Sequence, residues 1–259
     1  MEFILEKPWG IIAFTEFILV VLSTYMLLPI YLKFSDTFYG AFYREMAEDD
    51  EMSDQEDSNI LIHSNSRISC AFQSLFVTIG AYYLWWTGQL NLYEPAQAGN
   101  NIVKLILAVH LGHTISEFVN VYIKSDWKQR NYVFFTNYHM WIKLIKVMCF
   151  IDALKTENYG LILAWRLMLE LQTFWECPLY FYSTAYCMFG DDIISTTSTF
   201  AFMGSLALGA LTRIWFWWSF FGFFPALDIS FYSSSLLFLN CFLLDGCFFV
   251  RVVATQLGE

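Results

Sequence analysis

The sequence is short of charge, and the charge that it has is uneven. Only 15% of the 259 residues are charged, and the 24 acidic residues outnumber the 14 basic ones. A chain with a net charge of -10 lacks the positive surface that nucleic acid attracts, so nucleic acid is excluded as an expected partner. The six cysteines are scattered without a Cys-x-x-Cys pair, which argues against a disulfide framework or a zinc site.

What the chain has in abundance is apolar sequence. Hydrophobic residues make up 57% of it and aromatic residues 20%, a composition typical of multi-pass membrane proteins. Crossing a bilayer core of about 30 Å takes about 20 helical residues. Seven apolar segments approach that length: 10–32, 68–88, 102–123, 132–151, 159–176, 195–221 and 229–253. We therefore predict an all-α integral membrane barrel or bundle of about seven transmembrane helices.

One hydrophilic stretch divides this pattern. Residues 47–57 are almost entirely acidic or polar and cannot bury apolar surface, which indicates a solvated flexible loop. The alternative is a docking strand for a basic partner subunit or a cation. The predicted organisation is a first transmembrane helix (1–33), an acidic extramembrane loop (34–67) and a six-helix membrane domain (68–259).

Polar residues recur at helical spacing on the third and fourth apolar segments. They are His110, His113 and Glu117 on the third, and His139, Lys143 and Lys146 on the fourth. Each set of three falls on one helix face. If the third and fourth segments are antiparallel neighbours, residue 110 is expected to face 146, 113 to face 143 and 117 to face 139, like the rungs of a ladder. Ionisable groups at this depth are costly, so they indicate a functional or structurally essential cluster.

Two interpretations of this cluster compete. His110, His113, Glu117 and His139 have ligand chemistry suited to zinc or iron, but the two lysines on the same faces would repel a cation. A hydrogen-bonded ion-pair ladder is therefore favoured, and no metal is expected.

The charges on the other segments also allow pairing. The predicted segments place Glu16 and Arg213 at a similar depth in the bilayer, and Arg166 and Glu170 are four residues apart on one segment. These spacings allow two ion pairs, Glu16 with Arg213 and Arg166 with Glu170.

Several stretches resemble motifs of the TLC-domain family, which includes ceramide synthases and translocation-associated membrane proteins. They are 111–117, 130–139, 170–174, 212–214 and the segment from 239 to Arg251, which together cover most of 68–253. The first is similar to a Gly-Tyr-x-x-x-Asp/Glu helix, and the second to an Arg-x-Asp element that ends in paired histidines. The third is similar to the Glu-x-Ser-Thr-Pro segment of the non-synthase branch. The resemblance implies a helical barrel with an acyl-chain cavity.

The departures from that family concern its catalytic residues. Tyr138 stands where the first histidine of the pair is expected, and only His139 remains. The later His-Asp/Ser-Asp cluster of the synthases is replaced by Trp-Arg-Leu-Met-Leu at 165–169. Acyl transfer needs a general base within hydrogen-bond reach and stabilisation of the oxyanion. The resemblance therefore does not extend to the catalysis.

The sequence thus predicts a non-catalytic, lipid-binding or structural accessory subunit of a membrane protein complex, in the mitochondrial inner membrane or the endoplasmic reticulum. Its expected partners are membrane lipid and other membrane subunits, and the expected bound group is a phospholipid or another lipid. The residues predicted to line a lipid or polar cavity are His110, His113, Glu117, His139, Lys143, Lys146 and Arg213. One alternative is an acyl-CoA-dependent lipid-modifying enzyme that uses His139 with Glu117 or Glu170. Another is a proton or small-molecule transporter that uses the polar ladder.

Overall fold

The structure is a computed structural model that describes residues 8–36, 40–41, 54–90, 101–124, 133–157, 159–174, 192–226 and 228–256. In these ranges the chain is helical and contains no β-strand. Seven helices are present in the described residues: α1 (Pro8–Phe34), α2 (Asp54–Trp86), α3 (Asn101–Lys124), α4 (Val133–Thr156), α5 (Gly160–Leu167), α6 (Asp192–Phe223) and α7 (Phe231–Gln256). The all-helical prediction is confirmed.

Helix α1 changes its hydrogen bonding midway. A π-helical segment, Ser23–Leu27, interrupts it, and the N–H of Leu28 donates to the carbonyl of Ser23. Pro29 follows directly and has no N–H to continue the α-helical ladder, which accounts for the local rearrangement. On α2, the side-chain amide of Asn65 donates to the carbonyl of Thr24 at 3.2 Å, and the Thr24 and Ser69 hydroxyls lie 3.3 Å apart. These polar contacts attach the π-helical segment to α2.

Helices α1 and α3 cross closely at Gly112. A Cβ atom at this position would collide with the carbonyl oxygen of Ala13 and would lie 2.8 Å from Cβ of Glu16. The absence of a side chain therefore lets the two helix backbones approach each other, as small residues do in membrane helix pairs.

Substitution of Gly112 by alanine is expected to destabilise the protein by about 1–3 kcal/mol, because the added methyl group overpacks the α1–α3 crossing. The measurement is the free energy of unfolding in mild detergent. Gly222→Ala is the matched control, since nothing lies within 4 Å of a Cβ atom built there. That change should leave stability unchanged or slightly raised. Equal stability of both variants would contradict the close crossing.

Helix α5 occupies the centre of the described fold. All eight of its residues are buried, and it contacts α2, α3 and α4. A 3₁₀ turn, Met168–Glu170, follows it, and residues 171–174 are again helical. The predicted span 159–176 is therefore interrupted. Its first eight helical residues are too short to cross a bilayer core, and the turn places Glu170 among the polar residues of α3 and α4.

Within the described residues, three helical segments are long and apolar enough to cross a membrane: Pro8–Phe34, Ile68–Trp86 and Asn101–Val119. Large apolar side chains also cover the outer surface, and Trp86 and Trp218 are each 84% exposed. Exposure of this kind is unfavourable in water and is expected of a surface that faces lipid. The structure thus supports a membrane protein.

Helix α2 begins earlier than predicted, at Asp54 rather than at residue 68. Acidic residues are favoured in the first turn of a helix, because they offset the positive end of its dipole. This accounts for helical backbone in a stretch that was expected to be a loop. Residues 42–53, which include most of the acidic stretch, lie outside the described residues.

Candidate functional site

A cluster of polar side chains lies where α3, α4 and the turn after α5 meet. We call it the lysine–histidine cluster; its members are His110, His113, Glu117, Lys143, Lys146 and Glu170. Helix α3 runs antiparallel to α4, because Lys104 near its start pairs with Glu157 just after α4, whereas Glu117 pairs with Lys143. Five of the six residues predicted to form the ladder therefore come together.

Two lysine–carboxylate pairs hold this cluster. Lys143 donates to Oε2 of Glu117, and Lys146 donates to Oε1 of Glu170 at 3.0 Å. The hydroxyl of Thr173 donates to the second oxygen of Glu170 at 2.8 Å. Each carboxylate is thus held by an ammonium group from α4. The pairs connect α4 to α3 and to the turn after α5.

The two histidines are buried, with 2% of each exposed, but their surroundings differ. Nδ1 of His110 lies 2.8 Å from Nε2 of Gln73 on α2, and its Nε2 is 3.7 Å from Oε1 of Glu170. Nε2 of His113 is 3.8 Å from Oε1 of Glu117, and neither of its ring nitrogens has a hydrogen-bond partner in the described part of the chain. His113 therefore lacks a hydrogen bond at both ring nitrogens, whereas His110 lacks one only at Nε2.

A second cluster joins α5, α6 and α7. We call it the arginine–aspartate cluster, formed by Arg166, Gln172, Arg213, Trp217 and Asp245. Arg166 binds both carboxylate oxygens of Asp245, and the Arg213 Nε donates to one of them at 2.8 Å. The indole N–H of Trp217 donates to the other at 2.5 Å. Two guanidinium groups therefore converge on one buried carboxylate.

An apolar cleft of about 490 Å³ opens between α1, α2 and α3. Its walls include Leu19, Phe72 and Phe76, all of which are exposed on the protein surface. Its polar lining includes Glu16 and Gln73, and Oε1 of Gln73 has no hydrogen-bond partner among the described residues. Because Gln73 also contacts His110, the cleft adjoins the lysine–histidine cluster.

The observed ion pairs differ from the expected ones. Glu117 binds Lys143, which was expected to face His113, and the side chain of residue 139 lies outside the described residues. Arg166 binds Asp245 and not Glu170. Arg213 also binds Asp245, while Glu16 lines the cleft. Equal depth in the membrane does not predict which charges pair, because lysine and arginine side chains are long enough to reach a carboxylate about one helical turn away.

The other predicted site residues take different positions. Arg213 belongs to the arginine–aspartate cluster, and the side chain of His139 lies outside the described residues. The lining of the apolar cleft contains none of the seven residues predicted to line a lipid or polar cavity.

Helix α2 supplies contacts that the sequence patterns did not reveal. Cys70 and Gln73 reach Glu117 and His110, respectively. A usable signal was present in the sequence, because Asn65, Ser69 and Gln73 recur every four residues along α2. That stripe marks the face of α2 that turns toward polar neighbours.

No protein-family model, curated protein or solved structure was found to match this chain. The resemblance to the TLC-domain family therefore stays a prediction.

Proposed function

We propose that this chain is a non-catalytic, multi-pass membrane protein that binds lipid and serves as an accessory subunit of a membrane complex. In this proposal all seven helices belong to a TLC-like membrane barrel in the mitochondrial inner membrane or the endoplasmic reticulum. The observation that carries the lipid-binding role is the cleft between α1, α2 and α3, which combines apolar walls with a few polar groups. Sites for amphiphilic molecules commonly have this composition and size.

The cleft suits one acyl chain of a membrane lipid. Leu19, Phe72 and Phe76 supply the apolar surface along which the chain would lie. Oε1 of Gln73 is buried and without a partner in the described part of the protein, so it is available to accept a hydrogen bond from a lipid hydroxyl or amide group. The opening faces the surface, so a lipid enters from the bilayer without passing through water.

The paired charges favour a structural role over a catalytic one. Glu117 and Glu170, the carboxylates of the alternative enzyme mechanism, each bind a lysine from α4. A bound ammonium group offsets the negative charge with which a general base attracts a proton. Buried ion pairs whose partners lie on different elements fix the positions of those elements, which is what a rigid lipid-binding subunit requires.

Filling the cleft tests the lipid site. Leu19→Trp adds bulk to the wall, and overpacking of about 1–3 kcal/mol should weaken lipid binding roughly tenfold, because a factor of ten corresponds to about 1.4 kcal/mol. Bound lipid would be measured by native mass spectrometry of the protein purified in mild detergent. Phe14→Trp is the control, since Phe14 lies on α1 with similar exposure, 56% against 51% for Leu19, and is not part of the cleft lining. Equal lipid content in the two variants would remove the cleft from the proposal.

Purification separates the accessory role from the enzymatic alternative. A subunit is expected to migrate with other membrane proteins on a native gel in mild detergent, and its isolated chain should not turn over an acyl donor. Turnover by the isolated chain that is abolished by His139→Ala would overturn the proposal and establish the acyltransferase.

A further inference from the structure

Three groups with metal-ligand chemistry converge between α2 and α3. They are the thiol of Cys70, the imidazole of His113 and the carboxylate of Glu117, and one ligand atom from each lies within 4.8 Å of the other two. We propose that these residues bind a zinc ion. The candidate metal ligands named from the sequence did not include Cys70, because all of them lie on the third and fourth apolar segments.

Two of the three ligand–ligand distances lie close to the edge length of a zinc coordination tetrahedron, and the Cys70 and His113 ligand atoms lie within 4.8 Å of each other. Bonds of about 2.0–2.3 Å to nitrogen, oxygen and sulfur place tetrahedral ligands about 3.4–3.6 Å apart. Sγ of Cys70 is 3.7 Å from Oε1 of Glu117, and Nε2 of His113 is 3.8 Å from the same oxygen. Movements of a few tenths of an ångström would bring both contacts to ligand spacing. The three protein ligands leave a fourth position for water.

The unsatisfied state of His113 points to the same ligand. The residue is 2% exposed, and neither ring nitrogen has a hydrogen-bond partner in the described residues. Leaving a buried polar group without a partner costs about 1–3 kcal/mol. A metal bound at Nε2 would satisfy that nitrogen and leave the ring proton on Nδ1, so it would remove the part of this cost that Nε2 carries.

Lys143 does not block the site, because it binds only one of the two carboxylate oxygens of Glu117. Oε2 accepts from Lys143, whereas Oε1 is the atom close to Cys70 and His113. Carboxylates that bind metals are commonly held in this way by an outer hydrogen bond. Lys143 would therefore orient the ligand without occupying the metal position.

Ligand softness favours zinc over magnesium or calcium. On binding, the S–H bond of Cys70 breaks, the sulfur–zinc bond forms, and the proton passes to solvent. The thiolate and the Glu117 carboxylate then set two negative charges against three positive ones, two from the ion and one from Lys143, so the site carries a net charge of +1. Magnesium and calcium prefer oxygen ligands alone, whereas thiolate and imidazole suit zinc. The bound ion would tie α2 to α3.

The test is the zinc content of the full chain, purified in mild detergent, stripped with a chelator and reloaded with Zn²⁺. The wild type is expected to hold about one zinc per chain, as a single tetrahedral site requires. Cys70→Ser should lose at least about nine-tenths of it, because the thiolate ligand is removed. The matched control is Cys149→Ser, which changes another buried free cysteine and should keep the wild-type content.

A second measurement covers the case in which Cys70→Ser fails to fold. Co²⁺ loaded into the wild-type chain should show a near-ultraviolet band from cobalt–thiolate charge transfer, and the same band should persist in Cys149→Ser. A wild-type chain that takes up no stoichiometric Zn²⁺, or that binds Co²⁺ without a thiolate band, would overturn the site. So would a folded Cys70→Ser variant with full zinc content. None of these results bears on the lipid cleft, which is tested separately.

Discussion

Substitution of Asp245 by asparagine is expected to destabilise this protein by about 3–5 kcal/mol. The carboxylate is 3% exposed and accepts hydrogen bonds from Arg166, Arg213 and Trp217. Asparagine has a similar shape but no charge, so two guanidinium groups would remain in the interior without their shared anion. Removing one partner of a buried ion pair carries a cost of this size. The free energy of unfolding in detergent, followed by circular dichroism, measures it.

Two further variants show whether the loss comes from the buried charge. Asp228→Asn changes an exposed acidic residue and should alter stability by less than about 0.5 kcal/mol. Adding Arg213→Gln to Asp245→Asn removes one of the two unbalanced cations, so the double variant should lose less than the sum of the single losses. Full additivity would show that Arg213 and Asp245 do not depend on each other.

The second large effect is expected at Glu170. Glu170→Gln leaves the ammonium group of Lys146, which is 5% exposed, without its anion, and it removes the negative charge 3.7 Å from Nε2 of His110. We expect a loss of about 3 kcal/mol in the free energy of unfolding, because an uncompensated charge stays buried. The same detergent unfolding measurement applies.

The chain contains a matched lysine–glutamate pair near its surface. Lys104 and Glu157 lie 2.7 Å apart; the Lys104 side chain is 12% exposed, but that of Glu157 is 45% exposed, so water reaches the pair. Glu157→Gln should therefore cost less than about 1 kcal/mol. Adding Lys146→Met to Glu170→Gln should restore most of the lost stability, since it removes the unpaired charge. Similar costs at the buried and exposed pairs would contradict the structural role of the lysine–histidine cluster.

Much of the helical organisation was predictable because it depends on local composition. Each of the seven apolar segments overlaps one of the helices α1 to α7. The segment 159–176 is an exception, since its apolar composition did not indicate the 3₁₀ turn Met168–Glu170. That turn lies in a buried part of the chain, where tertiary packing can override helix propensity.

The meeting of polar residues was also partly predictable. His110, His113 and Glu117 share a face because of helical periodicity, and they face Lys143 and Lys146 because α3 and α4 are antiparallel neighbours. Depth in the membrane did not predict which residues of the lysine–histidine cluster bind each other. Glu170 enters it from the turn after α5, and Cys70 and Gln73 enter it from α2.

The sequence by itself determined that this protein is helical and suited to a membrane, because apolar run length and helical periodicity are local properties of the chain. Only the tertiary structure decided that Asp245 receives two arginines, that Glu16 lines a cleft and that Cys70 lies beside His113 and Glu117. These outcomes depend on which helix faces become neighbours and on how far each side chain reaches. Both are set by the packing of residues distant in sequence, which periodicity within one helix does not encode.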